Sequence, residues 1–231
     1  MRGLLQSCII VGAVAICSQV KEGLYVPADS GLDRGEQAAA DFFAKRGLRV
    51  QRCSKEDGKT RDFRVFRNKE FVMFCEAKHL DCDDWVDKRL DKQILGGVRA
   101  DPIFSGLANH VHEAVKRFNS VNAKHEHPNT LFLANSDRMS DVLDLIAVLD
   151  GMLRAESGVP EPTYKRYSEV PVRKDKFTVD LIIWSNVWMN KEPQLVWHPS
   201  IHHQRVCELL GCDVHSTLQL GLLEKAALSS S

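Results

Sequence analysis

At 231 residues, with 44% apolar and 27% charged side chains, the chain can bury a substantial core and is neither disordered nor fibrous in composition. Its 31 basic and 31 acidic residues cancel, so the molecule carries no net field with which to coat a polyanion or an anionic membrane. Seven cysteines, an odd set with no CxxC pair, argue against a disulfide framework and read as the reduced thiols of a cytoplasmic protein.

Residues 1–30 form an apolar N-terminal segment. After Arg2 no charge appears until Lys21, and "CIIVGAVAIC" is followed by polar flanks. This segment reads as a secretory signal with Ala13-Val14-Ala15 as its cleavage motif, as a buried helix, or as an extension upstream of the true start. It is too short and too polar at its ends for a stable membrane span. Export through such a signal is the alternative to a cytoplasmic location.

Periodicity predicts a helix over Asp33 to Arg46 and strands over Leu48 to Cys53, Asp62 to Arg67 and Phe71 to Lys78, with Gly58 and Asn68-Lys69 as turns. An acidic irregular stretch runs from Asp81 to Asp101. A helix over Ser105 to Asn119, a strand at "NTLFLAN", a helix over Ser140 to Leu153 and a proline-rich crossing from Ser157 to Lys176 follow. The strands "FTVDLIIW" and "QLVWH" precede a last helix from Ser200 to Leu210. Hairpins first and crossover helices later predict an α/β domain with a mixed central sheet flanked by helices.

Charge is uneven along the chain. Between Lys45 and Lys69 stand ten Lys or Arg residues against Glu56, Asp57 and Asp62, a strip that a polyanion would meet first, or else a pair of strand edges kept apart by charge. The group Cys75, His79 and Cys82 lacks the second ligand pair that a zinc finger needs. The pairs His110/His112 and His125/His127 are spaced by two, which on a helix turns them away from each other.

Three polar residues sit where apolar ones are expected. In the third predicted strand Phe74, Glu76 and Lys78 share one face, and Met73, Cys75 and Ala77 the other. A buried carboxylate there needs a cation beside it. Asp62 begins the preceding strand, and a hairpin can return Glu76 to its side, which suits a divalent cation unless Asp62 caps a turn instead. Glu36 lies on the apolar stripe Leu32, Ala40, Phe43 of the first helix; it either closes a capping box with Asp33 or faces the same cleft.

Glu36 in a leading helix, Asp62, and Glu76-Ala77-Lys78 at the end of an apolar strand together resemble the PD-(D/E)xK nuclease superfamily, with its restriction-endonuclease-like core, over about Leu32 to Asn135. Arg61 stands where that family often has proline. The predicted helix over Ser105 to Asn119 looks like the family's second core helix, with Leu107, Val111, Ala114 and Phe118 packed and His110 and Arg117 flanking them. The resemblance implies one nuclease-like domain over residues 31–215, followed by a tail over 216–231.

It also implies a magnesium-dependent endonuclease acting on nucleic acid, most readily DNA. Asp62, Glu76 and the backbone carbonyl of Ala77 would hold Mg²⁺, with Mn²⁺ as a substitute. Lys78 would orient the attacking water, take its proton or offset charge, while Glu36 would support a second metal or Lys78. Arg61, His110 and Arg117 would lie on the nucleic-acid side. The competing expectation is a non-catalytic member of the same fold that binds nucleic acid or a protein. Trp184, Trp188 and Trp197 read as core or as a homodimer contact, with base stacking as the alternative.

Overall fold

The computed structural model describes residues 31–53, 63–81, 102–138, 140–154, 160–162, 171–189, 191–197, 200–212 and 218–219. The chain begins with α1 (Arg34–Ala44), β1 (Leu48–Arg52), β2 (Phe63–Arg67) and β3 (Glu70–Leu80). It continues through α2 (Pro102–Val121), β4 (Asn129–Asn135), α3 (Val142–Asp150), β5 (Met152–Arg154) and β6 (Pro160–Pro162). The short helix α4 (Pro171–Asp175), a 3-10 turn (Lys176–Thr178), β7 (Leu181–Asn186), β8 (Gln194–Trp197), α5 (His203–Leu210) and β9 (Leu218–Gln219) complete it.

Among the described residues the main sheet has seven strands in the order β1-β2-β3-β4-β7-β8-β9. The pairs β1/β2, β2/β3 and β7/β8 are antiparallel, and β3/β4, β4/β7 and β8/β9 are parallel. The predicted mixed sheet flanked by helices is therefore present. Leu218–Gln219, assigned from sequence to the tail, pairs beside β8.

Two apolar layers fix this arrangement. On one face α1 and α5 bring Ala39, Phe42, Phe43, Val206 and Leu210 against Phe63, Val65, Cys75, Ala77, Phe132 and Ile183. On the other, α2 and α3 bring Leu107, Val111, Ala114, Phe118, Leu145 and Leu149 against Phe74, Leu131, Leu133, Ile182 and Trp184. Each of the larger side chains buried here stabilises the fold by about 1.5–3 kcal/mol relative to exposure. β4 is buried at all positions, as a strand covered on both faces must be.

Local chemistry sets the boundaries. Asn68 takes a left-handed φ of 57° in the two-residue turn that joins Arg67 to Glu70, a conformation that asparagine tolerates better than most residues. The helix expected over Ser140 to Leu153 stops at Asp150, because Gly151 adopts φ 69° as a left-handed cap and Met152 enters β5. The crossing from Ser157 to Lys176 contains β6 and α4 rather than only irregular chain, and the strand expected from Phe177 begins at Leu181, after the 3-10 turn.

A polar hub closes the C-terminal end of β4. The carboxamide of Asn135 donates to the carbonyls of Asp137 and Ser140 and to Asn186 Oδ1, each at 2.9 Å, and accepts from the Asp137 N–H at 3.0 Å. Trp184 Nε1 donates to the same Asn186 oxygen at 2.9 Å.

Candidate functional site

Strand β3 is an interior strand with helices above and below, so both of its faces are wanted by the core. Glu76 nevertheless occupies a fully buried position, beside Leu131 of β4 in the register and on the face covered by α2. An isolated carboxylate there would cost several kcal/mol or take up a proton. Cations answer that cost. Lys78 Nζ lies 2.7 Å from Glu76 Oε1, and the Arg117 guanidinium donates to the same oxygen.

Helix α2 delivers Arg117 because Leu107, Val111, Ala114 and Phe118 form its buried stripe, which sets position 117 at the stripe's margin. Two turns earlier on that margin stands His110. Burial, and then the positive charge of Lys78, hold His110 below its ordinary pKa. Glu76, Lys78, Arg117 and His110 thus form one group between β3 and α2. The carboxylate at its base has no exposed surface, but the Lys78 and Arg117 side chains are 17% and 35% exposed. The two cations span from solvent to a desolvated oxygen.

Comparison with family models, curated proteins and solved structures finds no match. What the group can do therefore rests on its own geometry.

Glu36 enters from the other layer. Its side chain accepts from the Asp33 N–H at 3.0 Å, and Asp33 Oδ1 accepts from the Glu36 N–H at 2.8 Å, closing the capping box. Arg52 Nη2 stands 2.9 Å from Glu36 Oε1. Helix α1 packs on the Cys75–Ala77 face of β3, opposite the face of Glu76 and Lys78. Its first turn nevertheless reaches the end of the same strand: a Cβ at Gly35 would lie 2.8 Å from the Lys78 carbonyl carbon and from the His79 nitrogen. Only glycine permits that approach, a link that the sequence signalled no more strongly than by a glycine inside a capped first turn.

Arg61 and Asp62 lie outside the described residues. Asp62 immediately precedes Phe63, which pairs with Cys75, the residue before Glu76. Ala77 is buried in β3 and registers with Phe132 of β4. Among the described residues no three or more His, Cys, Asp or Glu side chains are grouped to hold a metal ion.

The remaining signals have structural roles. Cys75 packs in the α1 layer, while His79 meets Ser136 Oγ at 2.6 Å and Asp81 Oδ1 at 2.9 Å; Cys82 lies outside the described residues. His112 ties α2 to Asp175 at 2.6 Å, and the His127 ring packs on Phe71. Trp184 is fully buried, and Trp197 stacks on His203 with ring centroids 3.6 Å apart. Trp188, at 42% exposure, is the open one of the three, with Arg138 over its ring. Among the described residues no helix is long and apolar enough to cross a membrane.

Proposed function

We propose that this chain is a metal-dependent nuclease of the PD-(D/E)xK type, cleaving phosphodiester bonds in nucleic acid, with DNA as the substrate. The observation that carries the reading is the buried Glu76 on the same strand face as Lys78, with Arg117 arriving from the following helix. Its setting supports it: one helix, a three-stranded antiparallel meander, a second helix and a strand parallel to the third follow one another over residues 34–135, the order expected of a restriction-endonuclease-like core.

The residues fit a hard divalent cation. Glu76, the Ala77 carbonyl and Asp62 would make an oxygen-only donor set of the kind that suits Mg²⁺ or Mn²⁺, and Glu76 already sits where positive charge is accommodated. When bound, such an ion supplies charge neutralisation on the phosphate and a more acidic water. The chain's own groups do the rest. Lys78, anchored on Glu76 and partly exposed, orients the attacking water and offsets the charge that builds on the phosphoryl oxygens. Arg117, partly exposed, swings from the carboxylate to the substrate phosphate, where its planar fork binds two oxygens. His110, whose pKa is lowered by burial and by the charge of Lys78, stands beside the group without adding charge at neutral pH. Glu36 supports the site from beneath through the first turn of α1. A cytoplasmic setting belongs to the same proposal and rests on the cysteine usage.

One observation favours a second reading. Glu76 is already neutralised by Lys78 and Arg117, so the same group can serve as a structural ion cluster in a non-catalytic protein that binds nucleic acid or another chain. Purified protein incubated with supercoiled, linear and single-stranded DNA in Mg²⁺, Mn²⁺ or EDTA separates the two. The nuclease reading requires metal-dependent cleavage that falls by about 100-fold or more in both Lys78→Ala and Asp62→Ala. Binding without cleavage in any metal would establish the second reading instead.

A further inference from the structure

Among the described residues, the arginines of the basic strip between Lys45 and Lys69 fall into two sets. On the α1 face, Arg52 meets Glu36 and Arg67 donates to the Leu209 carbonyl, while Arg46 holds Glu192 and lies over Phe42. Strand alternation and register place Arg49, Gln51, Arg64 and Phe66 on the opposite face, that of Glu76 and Lys78. Gln51 and Arg64 are exposed, and Arg49 lies over the Phe66 ring at 4.9 Å. Helix α2 covers β3 and β4 on this side.

Protection of a sheet edge explains charge on β1, the outermost strand, but not on β2, which is paired on both sides. Neither β1 nor β2 contains an acid, and among the described residues Arg64 has no ion pair. Arg64 registers with Phe74, one side-chain repeat before Glu76, so the Arg64 and Glu76 positions are diagonal neighbours, about 7–8 Å apart by strand geometry.

We propose that this face of β1–β2 is the track along which the phosphate backbone of duplex DNA lies as it enters the Glu76–Lys78 site, with Arg64 and Arg49 as its phosphate contacts. The inference rests on the nuclease reading for what happens at the end of the track, and on charge complementarity and continuity with Glu76 for the track itself. An exposed arginine on the interior strand β2 and a half-buried one beside it on the edge strand β1, on the face of a desolvated acid, give a polyanion somewhere to bind without bringing its charge against Glu76 directly.

The test measures equilibrium binding of a short fluorescent DNA duplex, without divalent metal so that nothing is cut, across a salt series. Replacing both Arg49→Gln and Arg64→Gln is expected to weaken binding by roughly 10-fold or more at moderate salt and to lower the slope of log K against log salt by about 2. Arg49→Lys with Arg64→Lys retains the slope, which separates lost charge from lost folding, and Lys191→Gln, next to the Glu192 that Arg46 holds on the α1 side, leaves binding unchanged. An unchanged slope in the double glutamine variant overturns the track. If wild-type protein cuts DNA through Lys78 but the slope ignores these arginines, the track fails and the nuclease stands. If binding depends on them and no cleavage occurs in any metal, the track stands and the nuclease fails; absence of any binding to duplex DNA sinks the track directly.

Discussion

Glu76 and Asp180 are both carboxylates without exposed surface, and the sheet holds them in opposite ways. Asp180, just before β7, accepts from the Asn129 backbone N–H and from His125 Nε2, each at 2.7 Å, and His202 in turn meets the His125 carbonyl at 2.8 Å. Its partners are short and pinned by main chain. Glu76 is met instead by the ends of two long side chains that reach it from solvent. A carboxylate bound to backbone ties loops together, whereas one bound to retractable cations can exchange them. Burial alone does not tell these two acids apart; the way their counter-charges are held does.

The sharpest way to break this contrast is to remove each acid in turn. Glu76→Gln is expected to lower metal-dependent DNA cleavage by about 100-fold or more, yet to cost only about 1 kcal/mol of stability, because the amide oxygen still accepts from Lys78 and Arg117. Asp180→Ala should do the reverse. It strips a buried backbone N–H of its acceptor and costs about 3 kcal/mol, a drop of roughly 6–12 °C in Tm for a domain of this size, with the cleavage rate per folded molecule unchanged. Equal stability losses, read by thermal melting, would erase the distinction.

A smaller effect probes how the two layers meet at β3. Gly35→Ala places a methyl group 2.8 Å from the backbone of Lys78 and His79, and backbone rather than a flexible side chain must then give way. Destabilisation of about 1–3 kcal/mol is expected, together with a loss of cleavage greater than the loss of folded protein, because the displaced peptide carries Lys78. Melting and single-turnover kinetics on the same preparation check both.

The smallest effect concerns pH. His110 in the fold is held below its ordinary value of 6.5, so as pH falls through 6.5 the unfolded chain takes up a proton that the folded one refuses. Stability therefore declines on acidification, over the window from 6.5 down to the folded value. His110→Gln should shallow that decline between about pH 8 and about pH 5 in thermal melts. His127 and His203, lowered mainly by burial, add a decline of the same sign that both proteins share, so only the difference between them reports on His110.

Much of this architecture is legible in the sequence. The run from Phe71 to Lys78 announced an interior strand, and its alternation assigned Glu76 and Lys78 to one face; the stripe Leu107, Val111, Ala114, Phe118 announced α2 and set Arg117 at its margin. For Glu36 the sequence left two readings open, a capping box with Asp33 or a place in the cleft of Glu76; the structure closes the box and sets α1 on the opposite face of β3. What the sequence concealed was distance between elements. That α1 packs on the Cys75–Ala77 face, that its glycine touches the Lys78 peptide, and that His110 senses the charge of Lys78 all depend on how helices settle across a sheet, and no local pattern encodes that. The end of α3 was misread for a different reason: Met152 and Leu153 continue the apolar pattern past Gly151, and the left-handed cap overrides it.

The Asn135 hub has a consequence for how the molecule breathes. One carboxamide laces the turn after β4 to itself and to the end of β7, so this rim cannot open without unzipping two parallel strands at once. In deuterium exchange the Asp137 amide should be retained on the timescale of the strands rather than that of surface turns, and trimming Asn135 to alanine would let that corner exchange ahead of the sheet.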